Sequence, residues 1–190
     1  MKFNKVASAL VLSMGMVAFG AAADQGSGSV KFTGSIIDAP CSIAPDSVDQ
    51  EVSLGQVAKN ALLGGGKSTP AHFDIKLENC VLDSGDNGGN GGDETRASAA
   101  NTVTITFSGP AADNTNTLLK ISSGTADGAG VGITDPNGKP VVLGQATDAI
   151  ALTDTSTNTL NLYGFLQGIS DKDLKEGSYE TITNFTMDYQ

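Results

Sequence analysis

The sequence contains no tryptophan, a single histidine and two cysteines among its 190 residues. These scarcities exclude several chemistries. Two cysteines and one histidine cannot complete a structural zinc site. His72 stands alone at the start of an alternating stretch, and no nucleophile elbow accompanies it, so a Ser-His-Asp hydrolase has no local support. Carboxylates are plentiful, but they fall in loops and on outward strand faces rather than in a pair placed for acid–base work. An enzyme is not expected, and no cofactor is implied. Basic residues are also few, 11 against 21 acidic ones, for a net charge of −10. That sign does not suit nucleic acid or an anionic membrane, and serves solubility and mutual repulsion instead. No segment after the N-terminus approaches the run of about 20 apolar residues that a membrane-spanning helix needs.

What is present begins with a three-part leader. Met1–Lys5 carries two lysines, Val6–Phe19 is apolar or small throughout, and Ala21-Ala22-Ala23 supplies small residues before Asp24. This is the pattern of a secretory signal peptide, here residues 1–23. The mature chain then starts at Asp24, with nine basic against 21 acidic residues and a net charge of −12. Export places Cys41 and Cys80 in an oxidising compartment, where an even count suggests one disulfide closing a loop of roughly 40 residues. Two buried free thiols are the alternative.

Twenty-four glycines, few aromatics and many short apolar runs indicate an all-β chain with frequent turns. Val30–Thr33 begins a strand and Gly34–Ile37 continues it. Pro40 and Pro45 flank Cys41 and mark an edge or turn. Glu51–Val57 is a short β candidate, and Ala61–Leu63 one helical turn stopped by Gly64-Gly65-Gly66. In His72–Cys80, Phe73, Ile75 and Leu77 alternate with Asp74, Lys76 and Glu78, and Val103, Ile105 and Phe107 alternate with threonines in the same way. Asp135-Pro136-Asn137-Gly138 is a turn signal between Val131–Ile133 and Val141–Leu143, which predicts a hairpin. Leu160–Gln167 is a strand interrupted by Gly164. The last strand runs from Tyr179, with Tyr179, Thr181, Thr183, Phe185, Met187 and Tyr189 on one face. Asp83–Ala100 is polar and rich in Gly, Asn and Asp, and reads as a surface loop. Seven or eight strands with almost no helix predict an immunoglobulin-type β-sandwich.

One region does not fit an ordinary domain. Asp24–Ser29 is a nearly featureless Gly/Ser lead, and behind it Val30, Phe32, Gly34 and Ile36 alternate with Lys31, Thr33 and Ser35. By periodicity alone this describes a normal first strand with a frayed end. The second reading is β-augmentation, in which a strand supplied in trans completes the open sheet of another molecule. A domain lacking a strand would expose its core and an unpaired edge, a hazard in isolation.

The stretch from Val30 through Pro40-Cys41-Ser42-Ile43 resembles the N-terminal region of chaperone–usher pilus subunits. It is closest to the major rod subunits of P pili and related, type 1-like fimbriae of enterobacteria. Asp49-Gln50, Gly55-Gln56, Gly64-Gly65 with Ser68 and Pro70, and Phe73–Cys80 follow the same family pattern. So do Gly177, fourteenth from the C-terminus, the alternating last strand and the penultimate Tyr189. The resemblance covers essentially the whole mature chain, and is weakest from Asp83 to about Gly130. It implies an incomplete immunoglobulin-like sandwich, residues 37–190, completed by a donor strand in trans. Cys41 and Cys80 would form the family disulfide. Residues 24–36 would be the donor extension, with Gly28 seating closely, Val30 and Phe32 filling the groove, and Gly34 and Ile36 nearer the domain. Gly177, Tyr179, Phe185, Met187, Tyr189 and Gln190 would border the groove. The implied partners are neighbouring copies of the chain in a head-to-tail polymer, other pilus subunits, a periplasmic chaperone that anchors the terminal carboxylate, and an outer-membrane usher. The filament would lie on the cell surface and support adhesion.

Two further readings are kept in view. A minor tip or adaptor subunit would share most of these features, whereas a tip adhesin would need a receptor-binding domain for which the N-terminus leaves no room. Asp83–Glu94 carries oxygen ligands for a calcium-binding module but lacks the spacing of an EF-hand loop.

Overall fold

A computed structural model describes residues 28–82 and 101–190. The signal-peptide expectation for 1–23, the start of the extension and the loop Asp83–Ala100, with its calcium reading, lie outside the described residues. Ile37–Gln190 forms one compact unit. Residues 28–36 are taken by themselves: they form no strand and are exposed throughout.

The unit is built almost wholly of β-strands. They are β1 (Ser42–Ile43), β2 (Ala71–Glu78), β3 (Thr102–Ser108), β4 (Leu118–Lys120), β5 (Ser123–Gly124), β6 (Ala129–Thr134), β7 (Ile150–Ala151), β8 (Thr157–Gly168), β9 (Tyr179–Glu180) and β10 (Asn184–Tyr189). Two single-turn helices, α1 (Pro45–Val48) and α2 (Lys59–Leu62), interrupt the run from β1 to β2. One sheet has the order β1-β2-β8-β6-β4, a second β10-β3-β7, and β5 pairs with β9. All the pairings are antiparallel.

Period-two alternation explains why the two larger sheets face each other. In β2, Ile75 and Leu77 are buried while His72, Lys76 and Glu78 are exposed. Val103, Ile105 and Phe107 do the same in β3, and Leu160 and Leu162 in β8. These side chains meet in one cluster with Cys41, Leu119, Ile133 and Val141. Cys41 and Cys80 form a disulfide that joins the entry of β1 to the end of β2.

Several sequence expectations need correction. Glu51–Val57 is not a strand; Gly55 adopts φ +65°, which breaks the extended path. The segment Val30–Ile37 forms no strand either, because an extended chain needs a neighbour to close its ladder. The turn at Asp135–Gly138 is present, with the buried Asp135 carboxylate accepting the N–H groups of Asn137 and Lys139. Its second arm, however, forms only the bridge Thr134 to Pro140, flanked by bonds from the Asp135 N–H to the Lys139 carbonyl and from the Val141 N–H to the Ile133 carbonyl; Leu143 then leaves β6 and donates to the Asn116 carbonyl. β8 passes through Gly164 without interruption, pairing there with both Ala71 and Ile133. The helical turn near Ala61 is present as α2, followed by a 3₁₀ turn over Leu63–Gly65.

The last strand departs from expectation in a way that matters. Its ladder is broken into β9 and β10, with Thr181–Thr183 assigned to neither. Even so, half-buried and exposed residues alternate without a slip from Tyr179 to Gln190, as the sequence predicts. The chain stays extended through the gap. What it lacks there is a backbone partner among the described residues.

Candidate functional site

The edges of the second sheet position the site. β10 pairs with β3 over six residues and forms the end of its sheet, so its other edge has no strand beside it among the described residues. Alongside lies an open cleft of about 1280 Å³. Its apolar surface comes from Phe73 and Ile75 of β2, Phe107 of β3, Leu119 of β4, Val131 and Ile133 of β6 and Leu166 of β8. These belong to both sheets, so the cleft opens directly onto the core. Two further stretches, 47–57 and 174–185, also line it. Leu54, Val57, Ile121, Leu174 and Tyr179 are only half buried around a second small cluster of Leu62, Ala129 and Leu166. A complete sandwich would cover such residues with another strand.

Segment 41–50 reaches the cleft because it is tied down along β2. Ala44 donates its N–H to the Lys76 carbonyl at 2.9 Å. The Ser47 hydroxyl, buried, accepts the Lys76 N–H at 3.1 Å, and the Gln50 amide donates to the Asp74 carbonyl at 2.8 Å. At the surface, the Lys76 ammonium bonds the Asp46 carboxylate, which lowers the Asp46 pKa and raises that of Lys76.

Of the residues expected to border the groove, Gly177, Tyr179 and Phe185 line the cleft together. Gly177 has φ +155°, and a Cβ there would lie 2.7 Å from the Ala126 nitrogen and closer still to the Thr125 hydroxyl. Only glycine lets this segment pass so near the Thr125–Ala126 backbone. Met187 and Tyr189 are on the same strand face as Phe185 but turn onto the main core instead of the cleft. Burial raises the pKa of both Tyr179 and Tyr189. Gln190 is held by reciprocal backbone bonds to Thr102, at 2.9 and 3.0 Å. The contribution of 47–57 to the cleft was not anticipated, although Val48, Val52, Leu54 and Val57 recur as apolar residues in an otherwise polar stretch.

The expected donor residues stand apart from any packing of their own. Val30, Phe32 and Ile36 are 77 %, 92 % and 103 % exposed, and nothing lies within 4 Å of a Cβ built on Gly28 or Gly34. His72 sits on the exposed face of β2, bonded to the Asn161 side chain at 3.0 Å and edge-on to Tyr163, which accounts for it structurally. No group of metal-ligating side chains occurs among the described residues, and no described helix is long and apolar enough to cross a membrane.

An open apolar cleft with an unpaired strand edge is a geometry for receiving polypeptide. A sequence model described as fimbrial protein matches residues 30–190. The chain belongs to the fimbrial protein family. Fimbria A protein of Serratia marcescens is 44 % identical over the full length of both chains. Among solved structures, a subunit of a chaperone–usher pilus superposes with a TM-score of 0.70 at 33 % identity, covering 87 % of this chain and 97 % of that one. The P pilus rod subunit PapA superposes at 0.64 with 32 % identity, covering 80 % of this chain and all of that one. This fimbrial protein is therefore a structural pilus subunit, and its fold is the incomplete immunoglobulin-like sandwich that the sequence led us to expect.

Proposed function

We propose that the chain is a major rod subunit that polymerises by donor-strand exchange. Residues 24–36 of one copy enter the cleft of the next and pair with the free edge of β10. The observation that carries this reading is the cleft itself, apolar at its floor and flanked by a strand with one edge unpaired. An inserted strand would satisfy that edge and bury apolar side chains at about 1.5–3 kcal/mol each. Thirteen extended residues reach about 43 Å, ample for such a groove. Val30 and Phe32 are the side chains proposed to fill it, with Gly28, Gly34 and Ile36 on the same face.

Each copy would both donate and accept, so the contact is heterologous and generates a filament instead of a closed ring. Residues 1–23 would direct export, and the assembled filament would stand on the cell surface and support adhesion. Before exchange, a periplasmic chaperone would cover the open edge and hold the carboxylate of Gln190, and an outer-membrane usher would hand the subunit on. The similarity to a chaperone–usher pilus subunit supports this route, and the similarity to a rod subunit favours a rod over an adaptor role.

The test is deletion of Asp24–Gly34. The truncated chain should still take up a synthetic peptide of residues 24–36 but fail to extend a polymer, as seen by electron microscopy and sedimentation. Filaments formed by the truncated chain would overturn the donor role.

A further inference from the structure

The gap between β9 and β10 contains an unsatisfied group that the donor reading leaves unexplained. The β10–β3 ladder ends at Asn184 opposite Ser108, and the β9–β5 ladder ends at Glu180 opposite Ser123. Beyond Ser108 the chain turns away through Gly109 and Pro110, and proline has no N–H to offer. Thr181, Ile182 and Thr183 consequently make no backbone–backbone hydrogen bond with any described residue. Thr183 uses its hydroxyl to reach the Ser108 carbonyl at 3.0 Å. The Thr181 hydroxyl is buried, lacks any partner among the described residues, and belongs to a residue that lines the cleft. A buried orphan hydroxyl is costly in an apolar setting, so a partner that arrives with the ligand is the simplest use for it.

We infer that Thr181 sets the register of the incoming strand, by bonding donor backbone at a glycine of the extension. This rests on the donor-strand reading above. The alternating face of the extension offers Val30, Phe32 and Ile36, which would press hydrocarbon onto the hydroxyl, and Gly28 and Gly34, which carry no Cβ. Only at a glycine can the hydroxyl approach the donor's main chain. From Gly34 a slip of two residues in either direction would put Phe32 or Ile36 over Thr181, and from Gly28 a slip toward the domain would put Val30 there; each leaves the hydroxyl unpaired, so the correct register gains over these neighbours. Thr181 is then a positioning residue for assembly, reading the absence of a side chain.

The experiment compares the full chain with Thr181→Val, Thr181→Ser, Gly28→Ala and Gly34→Ala, and with the combinations of Thr181→Val and each alanine variant. Monomer unfolding is followed in denaturant at high dilution, and polymer dissociation is followed separately. Thr181→Val should leave the monomer midpoint unchanged or higher, because it removes an orphan, while its polymers come apart on the order of tenfold faster. Thr181→Ser should match the parent chain in both assays. One of the two glycine variants should be non-additive with Thr181→Val and the other additive. The inference is overturned by equal loss in monomer and polymer, by parent-like polymers of Thr181→Val, or by additivity at both glycines. If the parent polymer forms without the extension, the donor reading has failed rather than the role of Thr181.

Discussion

β8 and the stretch 179–190 carry the same kind of alternating sequence, yet their surroundings differ. β8 is flanked by β2 on one side and β6 on the other, and its Leu160 and Leu162 are fully buried. The last stretch is flanked on one side only, by β5 at Tyr179–Glu180 and by β3 along β10, and its inward residues Phe185, Met187 and Tyr189 are half buried. One half of the sandwich is finished and the other is not. Alternation therefore defines a face, while completion depends on a neighbour. The contrast teaches that the proposed donor groove is written chiefly as missing coverage.

The largest expected effect belongs to the closed half. Replacing Cys41 and Cys80 by serine opens a loop of 39 residues' separation, which should destabilise the isolated chain by about 4 kcal/mol in denaturant unfolding. A loss near zero would mean that the closed half does not depend on this tie. Next, Leu162→Ala should cost about 3 kcal/mol in the same assay. Phe185→Ala should cost roughly half as much in the isolated chain, because its ring is only partly covered, and distinctly more once a donor covers it. Equal costs for the two variants in the isolated chain would erase the distinction between the halves.

The smallest effect is pH-dependent. Partial burial pushes the Asp113 carboxyl up, but bonds from the Thr115 hydroxyl, the Leu118 N–H and the Thr117 hydroxyl and N–H outweigh it and hold the pKa below its usual value. Asp113 fixes the turn that leads into β4, whose Leu119 floors the cleft. Because the folded value is lowered, the charged carboxylate stabilises the fold above its unfolded pKa of about 3.9, and that contribution fades as pH falls through the folded value. Asp113→Asn should cost about 1 kcal/mol at neutral pH after solvent screening. Titration toward pH 3 and below should close the gap with the parent chain. A gap independent of pH would assign the effect to packing of the turn.

Much of this was legible in advance, for reasons that are local. Phe73, Ile75 and Leu77 announce their face because side chains on a strand alternate, whatever the strand touches. The turn at Asp135–Gly138 is written in residues that bond their own backbone. The expectations that failed each concerned a neighbour. Glu51–Val57 has strand-forming residues but no ladder, and it lines the cleft instead. Val141 bonds back to the Ile133 carbonyl, but Leu143 donates to the Asn116 carbonyl instead, so the second arm does not become a strand.

From its residues alone, this protein was destined to be an all-β sandwich with one cysteine pair and an apolar-alternating N-terminal segment, since periodicity and turn chemistry act over a few positions. Only the tertiary structure decided that Thr181–Thr183 would have no backbone partner among the described residues, that Leu54 and Val57 would flank a cleft, and that Phe185 would line the cleft as well as pack on the core while Met187 packs on the core alone. Which backbone groups find partners depends on where distant strands end, and β3 ends at Ser108, before the last strand has used all of its length.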